Sequence, residues 1–171
     1  LASIIAAHGE IEAEKWAKGL VENLARKPEG NDRAQVKAIY EGVCDVAIIN
    51  TYYFGKMKFN QKDTEQTNWA KAINLIFTNQ EDRGNHINVA GGGVVKYAKN
   101  KENAIALLEF LIQPNAQALY ATMNYEYPVN LSTELSDELK SWGSFKEDQL
   151  PVEKLAELAP IAQKIINRVG W

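Results

Sequence analysis

The stretch CDVAIINTYYFGKM, residues 44–57, decides how this chain is read. Val46, Ala47, Ile48 and Ile49 form a continuous apolar run between polar residues, which suits a buried parallel strand better than a half-exposed one. Asn50 follows in the position of a helix cap, so a helix is expected to begin there, with Tyr52 and Tyr53 in its first turn. In open α/β sheets, ligands bind beyond the carboxyl ends of the strands, which makes Asn50, Thr51, Tyr52 and Tyr53 candidates by position. Consecutive helical residues stand about 100° apart around the axis, so both phenol oxygens can converge above the helix end, where unpaired backbone N–H groups also point.

Two adjacent phenols at such a point admit two readings. Aromatics after a strand commonly pack, one inward and one half exposed. Alternatively they bind metal. A phenolate is a hard oxygen donor, but free tyrosine has a pKa of about 10 and gives up its proton at neutral pH only to a strongly acidic cation. Ferric iron fits that demand, whereas zinc and copper favour nitrogen and sulfur and calcium favours carboxylates. The helix N-terminus beside such a metal could hold a small anion, carbonate or phosphate.

The flanks predict alternating helices and extended segments. EIEAEKWAKGLVENLARKP (10–28) reads as a helix with Ile11, Trp16, Leu20 and Leu24 on its apolar face. Asn31 or Asp32 caps a short helix whose apolar side is Val36, Ile39 and Tyr40. Ile73–Phe77 reads as a second β-like run, and HINVAGGGVVKYA as two extended pieces joined at Gly91–Gly93. Asn100 caps one helix, Pro114 opens another, YEYPVN is extended, and a closing helix after Pro151 carries Leu155, Leu158, Ile161, Ile165 and Val169 on one side. The expected class is therefore α/β.

Composition narrows the function. With 46% hydrophobic and 24% charged residues the 171-residue chain has the balance of a soluble globular protein, and a net charge of −3 gives no basic surface for nucleic acid. Cys44 is the only cysteine, which removes internal disulfides and thiolate metal clusters. No apolar run approaches the roughly 20 residues of a membrane helix. The chain opens without Met on LASIIAAHG, which reads as the middle of an amphipathic helix, so a fragment or processed product extending further toward the N-terminus is expected.

These motifs together resemble the periplasmic ferric-ion-binding proteins, the iron-capturing components of bacterial ABC importers known as Fbp-type or Fut-type. The resemblance covers essentially the whole chain. CDVAIINTYYFGKM is its most specific piece, supported in order and spacing by GLVENLARKPEGNDRAQ, HINVAGGGVVKYAKNKENAIALLEFL and NYEYPVN. It implies a type II periplasmic-binding-protein fold, a bilobal flytrap of which this is the C-terminal half. Residues 1–84 would belong to the second lobe and carry the tyrosine pair, 85–128 would complete the first lobe, and 129–171 would return to the second. It further implies that Tyr52 and Tyr53 bind Fe(III), that Asn50 lines the site of a synergistic anion or stands behind the ligands, and that the remaining ligands come from the other half. The implied partners are an ABC permease and its ATPase, the implied location is the periplasm, and the full-length protein is expected to be a monomer. The alternative is a solute-binding module for a small organic or anionic ligand, with the tyrosines stacking or hydrogen-bonding.

Other residues read as structural. Gly91–Gly93 lack the Lys and Ser or Thr of a phosphate loop and suggest close packing at a strand bend. His8 and His86 fall outside any ligand spacing, Cys44 is a small core residue, and Tyr125 and Tyr127 pack near the hinge. Asp32 and Arg33 are cap and surface residues whose loop could reach the anion site. No nucleophile with a base and no pair of carboxylates suggests an enzyme.

Overall fold

A computed structural model describes residues 1–171. The helices in chain order are α1 (Ala2–Glu22), α2 (Asp32–Tyr40), α3 (Thr51–Lys58), α4 (Thr64–Lys71), α5 (Lys101–Leu111), α6 (Pro114–Leu119), α7 (Asp137–Ser141) and α8 (Val152–Val169), with a π turn at Tyr120–Asn124 after α6. No helix is long and apolar enough to cross a membrane. The chain divides into two compact units, one of Leu1–Glu29, Phe77–Ile87 and Phe145–Trp171, the other of Gly30–Ile76 and Asn88–Ser144.

The first unit is a helix pair. Ile5, Ala13 and Ala17 of α1 bury against Ala162 and Ile165 of α8, with Leu158, Ile161 and Val169 packed around them. The α8 face is the one its sequence period predicts. For α1 the expected face is wrong: Ile11 is 83% exposed and Trp16 is 41% exposed, while the small residues Ala13 and Ala17 are fully buried. Close helix approach selects small side chains, and a hydrophobicity pattern weights large ones. Gly9, at φ 79° and ψ 170°, breaks α1 into two pieces. A short parallel contact ties the remaining segments together. Asn85 N donates to Lys146 O and Asp148 N to Asn85 O, each at 2.8 Å, and Arg83 pairs with Asp148 at 2.7 Å.

The second unit carries the quoted stretch. Val36 of α2, Met57 of α3 and Ala70 of α4 form its buried centre, lined by Ile49, Tyr53, Phe54, Trp69 and Ile73. Glu138 at the start of α7 accepts from Lys58 Nζ at 2.6 Å and Trp142 Nε1 at 2.7 Å, tying the end of α3 down.

The α/β expectation is met only in part. Residues 45–49 join no strand ladder, and the one β-type contact of the chain is the bridge between Asn85 and Glu147. Val46 and Ile48 are each 74% exposed, while Ala47 and Ile49 are half-buried. The run therefore keeps the alternation of an extended segment with one face on the helices, and lacks both the neighbouring strand and the second layer that a buried parallel strand requires. Nor does a strand ladder form at 73–77, 87–95 or 125–130, and Ile76 is 77% and Val95 72% exposed. Gly91–Gly93 mark no tight bend. Only Gly92 has a near neighbour for an added Cβ, the Leu108 side chain at 2.9 Å.

One glycine is required by packing. A Cβ on Gly55 of α3 would run into the Tyr125 ring, so this helical position has no room for a methyl group. Gly19 of α1 has nothing within 4 Å of the same position. We therefore expect Gly19→Ala to stabilise by about 1 kcal/mol through helix propensity, and Gly55→Ala to destabilise by about 1–3 kcal/mol through overpacking. Denaturant unfolding of the two variants measures both, and equal signs would refute the packing account.

Candidate functional site

The site is built at the start of α3, a helix of eight residues. Isolated helices of that length are unstable in water, so its place is set by tertiary contacts. Asn50 occupies the cap position at φ −78° and ψ 132°, but its side chain makes no cap hydrogen bond, contrary to the expectation for an asparagine there. It is held from outside the helix instead. Asp32 Oδ1 accepts from Asn50 N at 2.7 Å and from Asn50 Nδ2 at 3.1 Å, and Asn88 Nδ2 donates to Asn50 Oδ1 at 3.0 Å. Asp32 is free for this task because Asn31, just before it, caps α2 by accepting from Ala34 N.

Tyr52 and Tyr53 are both half-buried, and their rings lie face toward face with centroids 4.4 Å apart and planes tilted by 34°. The neighbouring Tyr53 side chain is the main reason the Tyr52 phenol is pushed up to about 12; burial, Asp32 and Glu126 add to it. The Arg33 guanidinium lies 4.7 Å from the centre of the Tyr53 ring, and Lys56 Nζ lies 5.1 Å from that of Tyr52. Each phenol ring thus has a cation against its face.

The structure brings Asn50, Tyr52 and Tyr53 together with Asp32 and Arg33, two residues read from sequence mainly as cap and surface. Lys56 and Asn88 were missed. Lys56 is detectable in principle, lying four residues after Tyr52 on one helix; Asn88 is 38 positions from Asn50 and carries no local signal. Tyr125 packs as expected, stacked on Phe59 at 5.5 Å, and Tyr127 meets Trp142 edge-on at 6.2 Å. His8 and His86 are exposed, and no three His, Cys, Asp or Glu side chains gather around one ion position. Chemically, the α3 site offers two adjacent phenols, two cations, and one carboxylate already engaged by amide donors.

No protein-family model matches the chain. It is 44% identical, over its full 171 residues, to iron uptake protein A1 of Synechocystis sp., covering 47% of that protein. Among solved structures, the ferric binding protein from Campylobacter jejuni superposes with a TM-score of 0.94 at 43% identity, over 99% of this chain and 53% of the other. A Trichodesmium protein in complex with iron and citrate ligands gives 0.93 at 46% identity, over 99% and 54%. The chain spans about half the length of the curated relatives it matches, and across that half it is similar to iron uptake and ferric iron-binding proteins.

Proposed function

We propose that the protein of which this chain forms all or part captures Fe(III) in the periplasm and delivers it to an ABC permease and its ATPase, with Tyr52 and Tyr53 binding the ion as phenolates. The observation that carries this reading is the pairing of two neighbouring tyrosines, ring centroids 4.4 Å apart, on the first turn of α3. Two adjacent phenols suit one hard cation that displaces their protons. The names of the relatives, iron uptake and ferric binding, support the cargo. Asn50 stands beside the site of a small anion, for which carbonate and phosphate are the candidates, and Arg33 and Lys56 supply positive charge there. On the same reading the chain distributes over two lobes as 1–84, 85–128 and 129–171, with the tyrosine pair on the second. Closure of the lobes on the ion then shifts the population toward the closed form, since only that form holds it from both sides. The chain works as a binding protein and not as an enzyme.

Chelated ferric ion added to the full-length protein should produce a visible phenolate-to-iron charge-transfer band. Tyr52→Phe and Tyr53→Phe should each weaken or shift it and lower ferric affinity by about 10-fold or more, as loss of one coordinating group implies. No band, together with unchanged affinity in both variants, would move the assignment to a module for small organic or anionic ligands.

The pH dependence follows from Tyr52. Without metal its phenol is protonated at neutral pH, because its pKa is raised to about 12. Binding as phenolate releases that proton, so affinity falls as pH falls, by about tenfold per pH unit for each proton displaced. Proton uptake and release on ferric titration in weak buffer should show the release. In the metal-free protein, Tyr53→Phe removes the main cause of the shift and should bring Tyr52 back toward its ordinary value, read by NMR of ring-labelled tyrosine.

A further inference from the structure

We propose that Asp32 is a positioning residue for the tyrosine pair, acting through Asn50 to fix where α3 begins and therefore where Tyr52 and Tyr53 aim. The role goes beyond ligation and rests on the reading of Tyr52 and Tyr53 as the ferric ligands.

An asparagine in a cap position usually orients itself by accepting a hydrogen bond from its own helix. Asn50 does not, so nothing within α3 fixes its amide. Both ends of that amide are held by other segments: Nδ2 donates to Asp32 and Oδ1 accepts from Asn88. Asp32 in addition takes the backbone N–H of Asn50 at 2.7 Å, a bond from a main-chain donor to a charged acceptor. One carboxylate oxygen thus grips both the backbone and the side chain of the residue before the first turn. Asn50 O in turn accepts from Tyr53 N at 3.1 Å, which links the grip directly to the second tyrosine.

Asp32 has no competing duty in its own helix, which Asn31 caps. The adjacent residue, Arg33, reaches the face of the Tyr53 ring. The first two residues of α2 therefore hold α3 at two points, one on its leading backbone and one on a phenol. Residues that orient ligands without touching metal cost about 10- to 100-fold in affinity when removed.

The roles of shape and charge separate by substitution. Asp32→Ala removes the acceptor. Asp32→Asn removes the charge but keeps a carbonyl oxygen able to accept both bonds. In the full-length protein, we expect Asp32→Ala to lower ferric affinity by about 10- to 100-fold and to shift the phenolate-to-iron band, while Asp32→Asn restores most of both. Amide hydrogen exchange at Asn50 in the metal-free protein should accelerate in Asp32→Ala and remain slow in Asp32→Asn. Thermal unfolding of both variants checks that the fold survives, and if Asp32→Ala unfolds, the comparison of Asp32→Asn with Asp32→Ser takes its place. An Asp32→Asn variant as weak as Asp32→Ala overturns positioning in favour of charge. So does unchanged affinity with accelerated exchange, because the grip then has no bearing on the site. A parent protein without any ferric band sinks the ligand assignment instead, and the exchange measurement still reports on the grip by itself.

Discussion

The site depends on holding a short helix at both ends. Asp32 fixes the leading residue of α3, the Lys58 contact with Glu138 fixes its last one, and between them Met57 is fully buried against Val36 and Ala70. Gly55 lets the Tyr125 ring lie directly on the helix backbone. Eight residues could not form a stable helix alone, so the direction of the two phenols is a tertiary property. It is decided by α2, α4, α7 and the segment around Asn88, and the local preference of TYYFGKMK contributes little.

That division explains what the sequence made legible. The helix start after Asn50, the capping of α2, Pro114 at the head of α6 and the apolar face of α8 were all readable, because each rests on neighbours a few positions apart. The strand expected at 45–49 does not form, because a strand needs a partner segment, and the exposure of Val46 and Ile48 shows a run with only one packed face. The α1 face failed for a different reason: Ala13 and Ala17 are buried because they are small, and Ile11 is left outside. At the site itself, two adjacent tyrosines stood out in the sequence, while the residues that orient them lie 18 and 38 positions from Asn50. Asp32 looked like a cap residue since it stands where caps stand; only the structure shows that Asn31 has taken that duty.

The electrostatics of the pair favour a site that is silent until a strong Lewis acid arrives. The neighbouring Tyr53, burial and the nearby Asp32 and Glu126 carboxylates keep a proton on Tyr52 far above neutral pH. A weakly acidic cation cannot compete with that proton, and a divalent ion that prefers carboxylates finds no cluster of them here. Arg33 and Lys56 lie against the ring faces and place positive charge beside the pair. On the proposed ferric-ligand reading, negative charge nearby holds the proton on Tyr52 against casual loss until a trivalent ion displaces it. On that reading selectivity resides in how much charge is needed to displace the proton, a property of the residues around Tyr52 that no single ligand carries.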